Sequence, residues 1–315
     1  MRKLLAVSAL VVSLFPQCGF AQSEPQPVPV SFTFLRTIVG ARPAALAGSM
    51  LSVSRDPHAI FYNPAGIADM STKAGAFGYL NHILDIQSFV GAYVHTHRHG
   101  SYGAGVHYTD YGSFRRTDRF GEDLGDFAAS SMTLYATYSR VHAERWLFGA
   151  SLKYFRSEID QYAADGFALD AGMIYHSSFF DNLNIAAGVF NIGAARTAYI
   201  DTKELVPLNF QVGVSKRLAH LPFTYSAVLL RYRGRGEGFR IRFGGEFEIS
   251  EKFFMRLGYD TVGKDQKLDT GSTGDRFAGL SLGFGLSYNE YVFDYAFSSF
   301  GEVGSLNRLS LSVMF

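Results

Sequence analysis

The chain is predicted to be all-β: a transmembrane antiparallel β-barrel of about fourteen strands preceded by an N-terminal hatch or plug segment. Three observations predict it. The final residues alternate, with Leu309, Leu311, Val313 and Phe315 on one side of a strand and Ser310, Ser312 and Met314 on the other, and the sequence closes on the aromatic. From Ala74 onward, segments of about ten residues repeat this two-residue period, the length a tilted strand needs to cross the hydrocarbon layer. The connections alternate between short and mostly longer, as in barrels that keep short turns in the periplasm and longer loops outside.

Residues 1–21 have the pattern of a signal peptide. Arg2 and Lys3 are followed by an apolar stretch from Leu4 to Phe15 and a small-x-small site at Gly19-Phe20-Ala21, so the mature chain is expected to start at Gln22. Cys18 is preceded by Gln17, where lipoprotein processing requires Gly or Ala, which argues against lipidation. Once Cys18 is removed no cysteine remains, which excludes disulfides and thiolate metal sites.

Residues 22–73 do not alternate and are expected to form an arm and a hatch. Gln22 to Pro29 is Pro-rich and suits an extended arm. Next come a small-residue run, Gly40-Ala41-Arg42-Pro43-Ala44-Ala45-Leu46-Ala47-Gly48-Ser49, and the stretch Phe61-Tyr62-Asn63-Pro64-Ala65-Gly66. Small residues allow close backbone packing, and Asn-Pro favours a turn.

Residues 74–315 are expected to be the barrel. Strands are predicted near 74–80, 87–97, 102–110, 130–140, 146–156, 166–176, 184–192, 208–217, 223–233, 239–249, 253–262, 277–288, 291–299 and 306–315. In Phe239 to Ile249 the aromatic and aliphatic set alternates with Arg240, Arg242, Glu246 and Glu248. Such a strand is hard to place in a soluble sandwich and suits lipid outside with a polar lumen inside. Longer loops are expected at Tyr111–Phe127, Ser157–Asp165, Gly193–Val206, Gly263–Arg276 and Phe300–Ser305. Two segments resist assignment. Thr224 and Ser226 share a face with Val228 and Leu230, which points to a bulge or a lipid-facing polar spot, and Ile185 to Ile192 is apolar on both faces.

Composition removes other classes. The 315 residues are 47% hydrophobic and 18% charged with a formal net charge of +1, so there is no basic footprint for nucleic acid. After residue 21 no apolar run approaches the roughly 20 residues of a membrane helix, so any crossing must be made by a closed barrel.

The pairing of the 40–49 run with Phe61-Tyr62-Asn63-Pro64-Ala65-Gly66 resembles the N-terminal signature of the PorV/PorQ family, itself related to FadL-type outer-membrane transporters, whose hatch carries a similar Asn-Pro-Ala turn. The resemblance spans the mature chain, and its distinctive residues are Gly40, Ala41, Arg42, Gly48, Phe61, Tyr62, Asn63, Pro64, Ala65 and Gly66. It implies a barrel plugged by its own N-terminus in the outer membrane of a Gram-negative bacterium. It also implies a non-enzymatic role in type IX-like protein export, through binding of secretion-system components or secreted proteins. The alternative it implies is FadL-type passive transport of a hydrophobic small molecule. Transport predicts an apolar pocket lined by hatch residues and strand tops, and a break in the wall. Export predicts large ordered surface loops and a sealed lumen.

The remaining candidates follow from strand geometry. Lys153, Asp170, Arg240, Arg242, Glu246, Glu248, Arg256, Asp260 and Asp294 are expected in the lumen, where mixed signs suit ion pairs that hold the hatch. Leu309, Leu311, Val313 and Phe315 are expected to be the signal read by the barrel-insertion machinery. Outer-membrane lipid and lipopolysaccharide are the other expected partners, with Tyr102, Tyr108, Tyr259, Tyr288 and Tyr295 in interfacial girdles. His95, His97 and His99 stand two apart, and His107 is expected across the hairpin. An imidazole metal site is chemically possible there, but no carboxylate is adjacent, and lumen or rim histidines are the favoured reading. Gly279-Leu280-Ser281-Leu282-Gly283 matches a nucleophile elbow, yet it lies within an alternating strand rather than a strand-turn-helix junction. Phe114-Arg115-Arg116-Thr117-Asp118-Arg119 reads as a basic solvated loop. No cofactor or metal is expected.

Overall fold

In the computed structural model, residues 32–234, 238–266 and 276–315 are described; the signal peptide expected at 1–21 and the arm at 22–29 lie outside them. The described residues form fourteen strands: β1 Ala74–Asn81, β2 Gln87–His97, β3 Gly100–Thr117, β4 Asp123–His142, β5 Trp146–Ile159, β6 Tyr162–His176, β7 Leu183–Ala195, β8 Asn209–Arg217, β9 Phe223–Tyr232, β10 Phe239–Ser250, β11 Phe253–Asp260, β12 Leu280–Tyr288, β13 Tyr291–Ser299 and β14 Ser305–Met314. Each pairs antiparallel with its sequence neighbours, and β1 closes on β14 with Phe77 opposite Leu311 and Ala74 opposite Met314. The ladder is therefore unbroken around the ring, and the gap in the wall expected for transport is not found among the described strands.

Alternation sorts the side chains as the period demands. In β14, Leu309 and Leu311 are exposed on the outside while Arg308, Ser310 and Ser312 are buried inside. Phe77, Phe89, Leu134, Phe148, Leu152, Phe167, Phe243, Leu257 and Leu282 extend the outward apolar face around the barrel. An apolar surface of this extent is stable only against lipid. Tyr102, Tyr108 and Tyr288 are exposed on this outer face.

Several expected boundaries move. Tyr111–Phe127 is not a long loop, because β3 runs on to Thr117 and β4 starts at Asp123. The hairpin is held by the stacked Phe114 and Phe127 rings, 5.4 Å apart, and by Arg115 and Asp123 at 2.9 Å. Polar residues on both faces conceal the period there, so most of the basic 114–119 stretch is strand. Ser157–Asp165 likewise shrinks to a turn between β5 and β6. Conversely, β12 begins at Leu280 rather than Phe277, since Gly279 has φ +87°, and β11 stops at Asp260.

The two ambiguous strands resolve differently. β9 has no bulge: its pairing with β8 and β10 is continuous, and Ser226, Val228, Leu230 and Tyr232 all point inward. In β7 a bulge places Phe190 and Asn191 opposite the single residue Asp170 of β6, with Asn191 at φ +60°.

Residues 32–73 form an inner segment of short turns rather than strands. It contains 3₁₀ turns at Thr33–Arg36, Pro57–Phe61 and Pro64–Ile67 and a one-turn helix at Ala41–Ala45. Two turns are started in the same way: Asp56 and Asn63 accept from the N–H of His58 (2.8 Å) and Ala65 (3.1 Å), and a proline fills the first position. The segment packs on the inward face of the wall, where β5, β6, β11 and β12 offer Gly149, Gly172, Gly258 and Gly283. A Cβ at these glycines would collide with Pro64, Asn63, Leu46 and Ala45 respectively.

Candidate functional site

The candidate site is the seam between this inner segment and the wall, and its two sides differ in chemistry. Toward β10–β14 the seam is ionic. Arg42 donates from Nη1 to Asp56 Oδ2 (2.6 Å) and from Nε and Nη2 to the two oxygens of Glu246 (2.9 and 2.8 Å). Glu246 also accepts from Arg256 Nε at 2.5 Å, and Arg256 Nη1 donates to Asp294 Oδ1 at 2.6 Å. Asp56 in turn holds His58 Nδ1 at 2.9 Å. The result is a continuous line of contacts, His58–Asp56–Arg42–Glu246–Arg256–Asp294, running from the segment into the wall, in which the carboxylates of Asp56, Glu246 and Asp294 alternate with the guanidiniums of Arg42 and Arg256. Bidentate pairing suits Arg42, whose planar fork matches a carboxylate.

Burial alone would raise the Asp56 carboxyl, but His58 and then Arg42 outweigh it and hold it well below the usual carboxylate range. Burial would likewise depress Arg42, and the Glu246 and Asp56 carboxylates instead hold it well above its usual value. Further hydrogen bonds tie the segment to the wall: Ser310 Oγ accepts from Ala41 N–H (3.2 Å), Ser49 and Ser226 hydroxyls meet at 2.6 Å, and Ser215 Oγ donates to Ser52 O (3.0 Å).

Toward β5–β9 the seam is largely apolar. Near the end that carries the longer connections, Phe32 and Phe34 pack with Phe155, Ala168, Ala195 and Val206. In a second cluster on this side, Leu51, Ala65 and Ala68 pack with Leu147, Ile174, Phe190, Val228 and Leu230. Between these clusters lies one buried ion pair, Lys153 to Asp170 at 2.6 Å, with Asn191 accepting from Lys153 Nζ at 2.8 Å.

The residues of the expected hatch motif all fall in this seam. Gly40 (φ +81°) leaves no room for a Cβ beside the His58 ring, and Gly48 (φ +75°) turns the chain after the helix. Phe61 stands edge-on to Tyr135 at 5.0 Å, and Tyr62 OH donates to Val39 O at 2.7 Å. Asn63 both caps Ala65 and donates to Leu51 O at 2.7 Å. Pro64, Ala65 and Gly66 are buried.

Seven of the expected lumen charges are buried inside the barrel: Lys153, Asp170, Arg242, Glu246, Arg256, Asp260 and Asp294. Two lie apart. Arg240 sits at the loop end over the Tyr232 ring (5.5 Å), and Glu248 pairs at 2.6 Å with Arg217 near the turn end. Sequence reading missed Arg308, although it shares parity with Ser310 and Ser312. It also missed Asp165, which lay in an expected loop but is buried, paired with Arg196 and accepting from Thr197 Oγ1 at 2.6 Å.

The other candidates disperse. His95 and His97 lie on the outward parity of β2, next to Tyr93, while His107 is buried inside β3, so the strand separates them. Among the described residues no group of three or more His, Cys, Asp or Glu side chains is placed to hold a metal. Ser281 points inward and donates to Ser298 Oγ at 2.9 Å within a regular strand, without the sharp turn an elbow needs. Phe315 is exposed near the Tyr93 ring, and its N–H is bonded to Lys73 O.

A cavity of ≈ 500 Å³ opens at the loop end between the inner segment and β10–β14. Its lining is mixed rather than purely apolar: Arg242, Arg308 and Asp260 stand beside Ser281 and Ser298, and Ile38, Val262, Phe300 and Leu306 supply an apolar part. Burial and then Arg308 push His82, on its rim, down to about 4, so this imidazole is neutral at neutral pH. A second cavity of ≈ 350 Å³ at the turn end includes Arg55, Asp69 and His176.

No protein-family model matches the chain, and no curated protein matches it by sequence. Solved structures do. The toluene transporter TodX of Pseudomonas putida superposes with a TM-score of 0.58 at 11% identity, over 88% of this chain and 98% of that one. A FadL homologue of Pseudomonas aeruginosa gives 0.53 at 12% identity, over 88% and 99%. CymD, a monoaromatic hydrocarbon channel, gives 0.52 at 11% identity, over 91% and 98%. At such identities the likeness is one of architecture, and the chain has the barrel fold of the FadL-like outer-membrane proteins.

Proposed function

We propose that the protein is a non-enzymatic outer-membrane barrel that passes small hydrophobic compounds, with residues 32–73 acting as its hatch. The observation that carries this reading is the asymmetry of the seam. On the β10–β14 side the segment is anchored by buried ion pairs, whose rupture would strand charges at a cost of about 3–5 kcal/mol each. On the β5–β9 side most contacts are between apolar side chains, which an apolar solute can replace with little loss. The ionic side would then serve as anchor and the apolar side as path. The likeness to barrels named as hydrocarbon channels supports this assignment, as does the outward apolar face for a place in the outer membrane.

Protein export, the role implied by the PorV/PorQ resemblance, finds support in the filled lumen. It draws none from the neighbouring structures, and the expected loop at 111–127 is a strand hairpin closed by a short turn.

The decisive experiment uses the absence of cysteine after Cys18. A cysteine pair replacing Ser52 and Ser215, where Ser215 Oγ reaches Ser52 O at 3.0 Å, should tie the segment to β8 when oxidised. Uptake of labelled toluene into proteoliposomes should stop on oxidation and return on reduction. Uptake that continues through the cross-linked form would overturn a hatch-gated path.

A further inference from the structure

Two guanidiniums in the ≈ 500 Å³ cavity differ in what balances their charge. Arg242 donates to Asp260 at 2.8 Å. Arg308 is equally buried, yet no carboxylate among the described residues lies within ion-pair distance of it, and its Nε has no hydrogen-bond partner. Its Nη1 donates to Ser298 Oγ at 2.9 Å. That oxygen also accepts from Ser281 Oγ at 2.9 Å, so with both lone pairs taken the Ser298 hydroxyl proton is left to donate. A buried guanidinium without a counter-ion is strongly unfavourable, and here it lines a space large enough to hold one.

We propose that this cavity is an oxyanion site that takes a phosphate group, with Arg308 as the anchoring cation and Ser298 as a second donor. Phosphate fits better than carboxylate for a geometric reason. Thr33, Thr37 and Ser299, each bearing a hydroxyl, line the same cavity, and a tetrahedral anion with three exposed oxygens can accept from several directions, whereas a carboxylate accepts mainly in one plane. A water molecule occupies about 30 Å³ in the liquid, so the cavity also has room for an organic group attached to the phosphate. The phosphate could be carried by a small ester arriving from outside or by the headgroup of a membrane lipid. The site lies on the ionic side of the seam, away from the apolar path, and it stands or falls independently of hydrocarbon passage.

The test is equilibrium binding to the purified full chain in detergent at constant ionic strength. The free-solute probes are inorganic phosphate and glycerol 3-phosphate; the headgroup probes are mixed micelles containing phosphatidic acid or phosphatidylcholine. Saturable binding of either a free phosphate or phosphatidic acid should weaken at least about tenfold in R308Q, with a chloride control showing no competition. Binding of the free solutes would assign the site to a soluble ester, and binding of phosphatidic acid alone would assign it to a headgroup. S298A, which keeps the charge, should cost about threefold, and it carries the test if R308Q fails to show the heat-dependent gel shift of a folded barrel. The proposal is overturned if no phosphate probe binds, or if the folded variants bind as well as the parent.

Discussion

Arg42 is the residue on which the anchored side of the seam turns. Its side chain reaches both a segment carboxylate, Asp56, and a wall carboxylate, Glu246. Replacing Glu246 by alanine would leave Arg42 with Asp56 and Arg256 with Asp294, so each cation keeps one partner. The expected loss is about 3 kcal/mol, the low end for a broken buried pair, read as a lowered urea midpoint of the barrel refolded in vesicles. The pH dependence follows from Asp56. Its carboxyl is depressed in the folded protein, so its stabilisation is fully present above the unfolded value of about 3.9 and is lost only as pH falls through the lower folded value. Hydrogen-exchange protection of residues 40–60, corrected for intrinsic rates, should therefore be flat between about pH 8 and about pH 5. Arg42→Gln should lower that protection throughout the window, and unchanged protection in the variant would show that the Arg42–Asp56 contact does not hold the segment.

Among the elements, β5 and β6 define how closely the inner segment can approach. Gly149 and Gly172 face Pro64 and Asn63 with no space for a side chain, and both surroundings are backbone or a fully buried amide. Gly149→Val should push the 63–66 turn off the wall while leaving the ladder of β5 intact, because valine suits a strand. The expected consequence is a leakier barrel, measured as higher conductance in planar bilayers or greater sensitivity of cells to a bulky antibiotic. Unchanged conductance would mean that the turn yields without opening a path. The strands also differ in how readable they were. β12 and β14 stood out because lipid on one side and small polar residues on the other leave a clean alternation. β9 did not, because Val228 and Leu230 point inward to meet Leu51 and Ala65, and an apolar inner face imitates a lipid-facing one. β7 did not because its bulge at Phe190–Asn191 shifts the parity halfway along.

For the molecule as a whole, closure depends on β14 meeting β1. Phe315 ends that strand on the exposed outer side, as the proposed insertion signal requires. Phe315→Ala should reduce the amount of folded, heat-modifiable barrel in the outer-membrane fraction severalfold, while barrel refolded in vitro keeps its urea midpoint. An equal yield in cells would remove Phe315 from the insertion signal. The inner segment and the wall were each legible as separate things, a non-alternating stretch and a run of strands. Their fit was not, because Arg42 and Glu246 are 204 residues apart and nothing local in either sequence specifies the other.

The barrel was legible from the order of residues. Lipid is a uniform solvent, so every outward position faces the same requirement and the two-residue period survives to be read. The inner motif was visible too, since Asn63-Pro64 and Asp56-Pro57 start their turns through contacts only two residues long. Tertiary structure alone decided what the lumen is. Inward positions face no uniform solvent but whichever part of residues 32–73 lies opposite, so the same parity carries Val228 and Leu230 into an apolar cluster with Leu51, Glu246 against Arg42, and Arg308 against an open cavity.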